Sequence, residues 1–172
     1  LGLHQSAFQH LQHRHDDTER LGQMIAERAG KSDDYRVKAA YARLRISASL
    51  VERGQAADAQ AVLDESARVF GQAGELEALA FAQYWRAVCA WDLDHFEGSK
   101  EHAVRGIAAA RQARSRLAEL MNLRELGSAL AWLGDADHAV EANESALAIA
   151  IELDVPSYEN AALHNLSLTY TL

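Results

Sequence analysis

Four positions that interrupt helical patterns recur along this chain at a constant interval of 40. They are Arg14, Gly54, Asp94 and Gly134, and no charge block or low-complexity tract lies between them. A fixed interval of this length indicates a tandem array of helical hairpins, because each repeat is one structural unit stacked on the next. The interval therefore limits the fold more strongly than any single motif does.

The clearest copy of the hairpin is the stretch 123–146, with the sequence LRELGSALAWLGDADHAVEANESA. Its leucines recur at helical spacing, Gly134 and Asp135 interrupt the run, and an alanine-rich stripe resumes after them. Two helices joined by so short a turn must lie antiparallel. A single hairpin cannot bury its own apolar faces, so neighbouring copies must cover it.

We predict one all-α repeat domain over residues 1–172, a superhelix of antiparallel hairpins with about seven or eight helices. The predicted hairpins occupy residues 1–30, 35–73, 75–113 and 116–153, and residues 157–172 form a helix without a partner. The chain begins at Leu1 and stops at Leu172 within an apolar pattern. We therefore expect it to be a piece of a longer protein.

The composition predicts an all-helical protein that binds neither nucleic acid nor membranes. Alanine occurs 34 times, against four Phe and one Pro, which suits closely packed helices and suits sheets badly. The formal net charge of −8 repels phosphate backbones and anionic lipids. Cys89 is the only cysteine, and no apolar run reaches the roughly 18 residues of a membrane helix. We expect a cytoplasmic protein without a signal peptide.

Several of these residues resemble the consensus of the tetratricopeptide repeat. The matching positions are Leu126-Gly127, Leu133-Gly134-Asp135, Ala139, Ala146 and, in the final helix, Asn165-Leu166-Ser167 with Tyr170. The interval of 40 exceeds the roughly 34 residues that are usual in that family. The chain departs from the consensus at Arg86, where Leu is usual, and at Asp94, which replaces Gly and is expected to cap the following helix. The resemblance implies a right-handed superhelix of the long-repeat variety found in bacterial regulators, lined on its concave side by the first helix of each pair.

With Gly127 as the eighth position of its repeat, the resemblance also implies which side chains face the groove. In the best-formed copy they are Met121, Arg124, Glu125, Ser128 and Ala131, and one repeat earlier they are Phe81, Tyr84, Trp85, Val88 and Trp91. The other copies contribute Tyr41, Leu44, Arg45, His164, Asn165 and Leu168. Aromatic anchors beside Arg and Asn suit a bound peptide. The alternative interpretation is that residues 81–91 are inter-repeat core.

This groove predicts a regulatory scaffold for a protein or peptide ligand, without catalysis and without a cofactor. The resemblance implies the interaction module of a larger bacterial signalling or transcription regulator. Net acidity favours a partner of basic character, chiefly through steering. A second hypothesis is self-association through the open apolar face of the final helix near Tyr170, giving a homodimer that is either native or caused by truncation.

Metal-dependent activity is the third hypothesis. The first residues carry a cluster of possible ligands for a divalent metal, namely His4, His10, His13, His15, Asp16 and Asp17. The pairs Asp92/His95 and Asp135/His138 straddle turns, so we interpret them as capping and turn residues and not as part of a di-iron site. Cys89 occupies an interior helical position, and no Gly-rich phosphate loop is present. We predict no enzyme and assign no metal.

Overall fold

The computed structural model describes residues 33–171, which form a row of helices. The helices are α1 (Asp33–Glu52), α2 (Ala56–Ala73), α3 (Leu76–Asp92), α4 (Phe96–Ala113), α5 (Arg116–Trp132), α6 (Ala136–Glu152) and α7 (Pro156–Thr169). Each helix packs antiparallel against the next one in the chain, and this part of the chain contains no strand. The predicted all-α fold of stacked antiparallel helices is thereby confirmed.

All turns between the helices share one backbone geometry, and two such turns fall in each interval of 40 residues. A residue with positive φ closes every turn from α1 to α7: Gly54, Gly74, Asp94, Arg114, Gly134 and Asp154. The amide of the following residue donates to the carbonyl oxygen five positions earlier, as from Gln55 to Leu50 at 2.9 Å and from Asp135 to Leu130 at 2.9 Å. This bond is part of the Schellman motif, which satisfies carbonyls at the end of a helix.

Two predicted roles in these turns need correction. The capping role of Asp94 is wrong, because this residue takes the left-handed conformation with φ of 59° and His95 occupies the N-cap position. Asp135 does lie at the N-cap of α6, yet its side chain makes no capping bond and instead contacts His138 Nδ1 at 2.8 Å. Both acids are turn residues, as expected, and neither caps through its carboxylate.

Small residues set the distance between neighbouring helices. Ser47, Ala87 and Gly127 hold equivalent positions in α1, α3 and α5, and each is buried. A Cβ atom placed on Gly127 would lie 2.5 Å from Nδ2 of Asn143 in α6, which is far inside ordinary contact distance. Gly127 is therefore required by the close approach of an asparagine, and not by a turn.

The apolar core is a series of small clusters, each shared by adjacent helices. One groups Leu63 with Val51 and Cys89, and another groups Leu120 with Leu123 and residues of α6. A chain of local cores is what stacked repeats produce, because each unit contacts its neighbours. None of the helices of residues 33–171 is long and apolar enough to cross a membrane.

The odd-numbered helices form one face of the stack. α1 contacts α3, α3 contacts α5, and α5 contacts α7, whereas α2, α4 and α6 make no contact with one another within the described part of the chain. The odd helices are therefore the more crowded layer, and we call their exposed side the inner face. Since successive helices are antiparallel, α3, α5 and α7 run parallel and end at the same edge of this face.

The predicted hairpin 1–30 and its histidine cluster lie outside the described residues, so the third hypothesis stays a prediction.

Candidate binding groove

A cavity of about 240 Å³ lies where α3, α5 and α7 end on the inner face. Its walls are Trp91, Ser128, Ala131, Trp132, Asn143, Asn165, Leu168, Thr169 and Thr171. Trp132 is 67% exposed and Leu168 is 52% exposed, whereas Asn143 is fully buried. The tryptophan and the leucine therefore stand at the mouth of the cavity, and Asn143 forms part of its floor.

Three packed aromatic rings stand on the α3 side of the cavity, and two of them, Trp91 and Trp132, line it. Trp132 stacks on Phe96, with ring centroids 5.2 Å apart and planes 14° apart. Trp91 stands nearly perpendicular to Trp132, at 82° and 5.9 Å, and packs edge-on with Phe96 at 5.1 Å. Phe96 and Trp91 thus both pack against Trp132, and the Trp132 side chain nevertheless stays largely exposed.

A short network of amides and hydroxyls lines the opposite wall. Asn165 Nδ2 donates to Ser128 Oγ at 3.1 Å and to Asn143 Oδ1 at 3.4 Å. Asn143 Nδ2 donates to the carbonyl of Ala139 at 3.0 Å, and Thr169 Oγ1 donates to the carbonyl of Asn165 at 2.8 Å. The amide oxygen of Asn165 accepts no hydrogen bond from residues 33–171. It is a free acceptor at the edge of an otherwise largely apolar cavity.

A charged pair lies one turn of α5 before the cavity. Arg124 contacts Glu125 Oε1 at 2.5 Å and Tyr84 Oη at 3.3 Å, and its guanidinium lies 5.7 Å from the centre of the Tyr158 ring. Burial raises the pKa of Glu125, and the adjacent Arg124 opposes that shift. Burial likewise raises the pKa of Tyr84 to about 12. Arg124 is thus already committed to a carboxylate, a phenol and an aromatic face.

Asp92, an exposed carboxylate at the end of α3, has no cationic partner in the described part of the chain. It follows Trp91 in the last turn of α3 and holds in α3 the position that Trp132 holds in α5. Its negative charge contributes, after burial, to the raised pKa values of Cys89 and Glu125. Asp92 forms no ion pair or hydrogen bond within residues 33–171, and partial burial raises its own pKa.

The aromatic stripe predicted on α3 is mostly packed between repeats. Tyr84 is buried, and Phe81, Trp85, Val88 and Trp91 are half-buried. Phe81 packs against an alanine cluster of α3, α4 and α5, while Trp85 and Val88 pack against the cluster that contains Leu63. Of these five side chains, Trp91 alone lines the cavity.

The remaining predicted groove residues are spread along the odd helices. Tyr41 is exposed, packs edge-on against Phe70 at 4.8 Å, and donates to Glu75 Oε2 at 3.1 Å. Arg45 and His164 are exposed, and Leu44 and Met121 are half-buried. The structure thus brings five predicted groove residues together at one site and leaves the others elsewhere on the face; the five are Trp91, Ser128, Ala131, Asn165 and Leu168.

Arg86, which departs from the repeat consensus, points away from the cavity. Its Nε lies 2.8 Å from Asp64 Oδ1 in α2, and its Nη1 donates to Gln83 at 3.2 Å. His102 in α4 lies close to this pair. Burial, together with the charges of Arg86 and Arg105, lowers the pKa of His102 to about 4. Arg86 therefore joins α3 to α2 through an ion pair, beside His102 of α4.

Four cavity residues were not predicted from the sequence: Trp132, Asn143, Thr169 and Thr171. Trp132 comes directly after Ala131, the last residue of α5 that the repeat register assigns to the groove. A strict use of the register therefore leaves Trp132 out of the predicted groove. Asn143 belongs to α6, a second helix of a pair, which the register assigns to the outer layer. The sequence did hold one signal for Asn143. It is an asparagine among the alanines of α6, and it lies in the same repeat as Gly127.

No family model matches this chain. The comparison with curated proteins also finds no match.

The described residues contain no group of three His, Cys, Asp or Glu side chains that could hold a metal ion. Cys89 is buried, and burial raises its pKa to about 12, so its thiol is protonated at neutral pH. The exposed pair Asp135/His138 lies at the start of α6, outside the cavity walls.

Proposed function

We propose that this chain is a tetratricopeptide-like repeat scaffold whose inner face binds a peptide segment of a partner protein. The observation that carries the proposal is the cavity at the ends of α3, α5 and α7. Five of its wall residues occupy positions that the repeat register assigns to the groove: Trp91, Ser128, Ala131, Asn165 and Leu168. Register and cavity are independent lines of support, since one comes from sequence spacing and the other from packing.

The cavity has the size and chemistry for one anchoring side chain. A volume of about 240 Å³ is at or below the lower end of small-ligand pockets, which matches a single large residue better than a whole cofactor. Leu168 and the two indoles supply apolar contact, and a rigid aromatic wall loses little entropy when it binds. The free amide oxygen of Asn165 can accept a backbone N–H beside that anchor.

Selection from a random peptide library displayed on phage tests the proposal, because the library samples many segments at once and no partner has to be identified first. Enriched peptides are synthesised with a fluorophore, and their affinity is measured by anisotropy. Ala131→Phe places a ring in the half-buried wall of the cavity and should weaken binding at least about tenfold. Ala148→Phe makes the same change at an exposed site on α6 and should leave binding unchanged.

Peptides that bind both variants as well as the unchanged chain would contradict the groove as the binding site. Circular dichroism of each variant separates lost binding from lost folding. Quenching or a shift of tryptophan emission on binding gives a second readout, because Trp91 and Trp132 form part of the wall.

Self-association through α7 is the second candidate. Leu163, Leu168 and Tyr170 expose large apolar area at this end of the chain, and two copies could cover each other there. Sedimentation velocity over a range of concentrations tests it, with Leu163→Glu expected to abolish the dimer and Val104→Glu, an exposed site on α4, expected to keep it. A monomer at all concentrations would remove this candidate.

A further inference from the structure

The walls of the cavity carry no charged side chain. Within residues 33–171 they consist of the indoles of Trp91 and Trp132, the alkyl groups of Ala131 and Leu168, and five neutral polar residues. A carboxylate or an ammonium group placed among them would lose hydration without meeting an opposite charge on the walls. The anchor that enters the cavity is therefore a neutral side chain.

Two polar groups on one wall keep unused hydrogen-bonding capacity. The hydroxyl oxygen of Ser128 accepts from Asn165 Nδ2 at 3.1 Å, but the hydroxyl donates to no group within residues 33–171. Ser47 and Ser66, by contrast, each donate to the carbonyl oxygen four residues earlier. The amide oxygen of Asn165 accepts no hydrogen bond from residues 33–171. This wall thus presents one free donor and one free acceptor.

The free donor and the free acceptor lie close enough to bind one polar group. The nitrogen and oxygen of the Asn165 amide belong to a single planar carboxamide, so its oxygen lies no more than about 5 Å from Ser128 Oγ. A hydrogen bond made by a hydroxyl spans about 2.8 Å, so one oxygen atom placed between the two reaches both. A hydroxyl fits this position because it donates and accepts at the same atom.

The rest of the cavity suits the ring of an aromatic residue. Trp91 and Trp132 stand on one side, and aromatic rings make favourable offset or edge-on contacts with one another. Tyrosine is the neutral amino acid that combines an aromatic ring with a group able both to donate and to accept. Tryptophan offers a donor only, and phenylalanine offers neither.

Resting on the proposed function, we propose that the cavity is a subsite for a tyrosine side chain of the partner peptide. The ring packs against the two indoles, and the phenol donates to Asn165 Oδ1 while it accepts from the Ser128 hydroxyl. An amide oxygen has two lone pairs, so Asn165 can accept a backbone N–H of the same peptide as well. Phenylalanine would displace water and leave the donor and the acceptor unpaired, so the site discriminates against it.

The phage selection on the full chain supplies the probes for this subsite. Enriched peptides should share a tyrosine, and each is synthesised with tyrosine, phenylalanine or phosphotyrosine at that position. The tyrosine form should bind about tenfold more tightly than the phenylalanine form. The phosphotyrosine form should bind at least about tenfold more weakly than the tyrosine form, because its charge would meet no cation on the walls.

Two variants of the chain locate this preference for tyrosine over phenylalanine. Asn165→Leu removes the acceptor and should reduce the preference to less than about twofold, and Ser128→Ala should reduce it to about threefold. The matched controls are Asn160→Leu on α7 and Ser145→Ala on α6, which are exposed sites outside the cavity walls and should leave the preference unchanged. Because the preference compares two peptides on the same protein, partial unfolding of a variant does not alter it.

The outcomes separate this inference from the proposed function. Enriched peptides without a tyrosine, equal binding of the tyrosine and phenylalanine forms, or a preference that Asn165→Leu leaves intact would overturn the tyrosine subsite. Those peptides would still support the groove if Ala131→Phe weakened their binding. Insensitivity to Ala131→Phe, or a selection that enriches no peptide, would overturn both proposals together.

Discussion

Replacing Gly127 by alanine tests how closely α5 and α6 approach each other. The added Cβ atom would lie 2.5 Å from Asn143 Nδ2 and 2.6 Å from its Cγ, against about 3.5–4 Å for an ordinary contact. The side chain of Asn143 or the helix itself must therefore move by about 1 Å. Overpacking of this kind costs about 1–3 kcal/mol, and the better helix propensity of alanine offsets about 1 kcal/mol. We expect a net destabilisation of about 1 kcal/mol.

The informative variant is the double replacement Gly127→Ala with Asn143→Ala. Ala87 and Ala103 hold the same two positions one repeat earlier, and both are buried, so the repeat already accommodates this pair. Asn143→Ala alone loses the bond from Asn165 and leaves a gap opposite Gly127. In the double variant the new methyl group occupies part of that gap. The two changes should therefore offset each other by about 1–3 kcal/mol.

Urea unfolding of the four proteins in this cycle, followed by circular dichroism, measures the coupling. A second cycle at Gly106 and Asn122 repeats the design one layer away, since a Cβ on Gly106 would clash with the Asn122 amide. Additive free energies of unfolding, within about 0.5 kcal/mol, would refute the argument that the asparagine requires the glycine.

Three further predictions concern buried ionisable groups. His102, whose pKa falls from 6.5 to about 4, should make stability decrease as pH drops from 6.5 to 4, because the unfolded chain binds the proton first. Allowing for its partial exposure, the loss is about 2 kcal/mol, and urea unfolding of His102→Gln should lack this slope. Arg124→Met should cost about 3 kcal/mol because it leaves Glu125 buried without its cation, as urea unfolding will measure. Cys89, 1% exposed, should react with a thiol reagent about 100-fold more slowly in native protein than in urea.

Each of these three predictions has a result that would contradict it. A pH slope in His102→Gln equal to that of the unchanged protein would assign the slope to another group. If Arg124→Met with Glu125→Gln is as unstable as Arg124→Met alone, the unpaired carboxylate is not the cause. Rapid labelling of Cys89 in native protein would show that α3 opens locally at its C-terminal turn.

The repeat interval predicted much of the architecture, and the turns explain why. A helix hairpin needs a left-handed residue at each end, and glycine at positions 54, 74 and 134 signals it directly. Asp94, Arg114 and Asp154 take the same conformation without a glycine. The predicted hairpin bounds located these turns, but the residue types did not signal a positive φ. There the antiparallel packing of the flanking helices imposes the left-handed residue, at a modest steric cost.

The groove shows the same division between local and tertiary information. Helical periodicity fixes the direction of each side chain within its own helix, which is why Trp91, Asn165 and Leu168 share one face. Whether a side chain on that face is exposed to solvent depends on the next-but-one helix in the chain, which packs beside its own helix. Tyr84 is covered because α5 approaches α3 there and brings Arg124 within 3.3 Å of its hydroxyl.

By itself the sequence determined the helical class, the order of the helices and the register of the repeat, because these follow from local spacing. Only the tertiary structure determined where a cavity forms on the inner face. It left Trp132 exposed, buried Asn143 in the cavity floor, and gave Asp92 no cationic partner within residues 33–171. These three features arise from contacts between separate helices, which no pattern within a single helix can reveal.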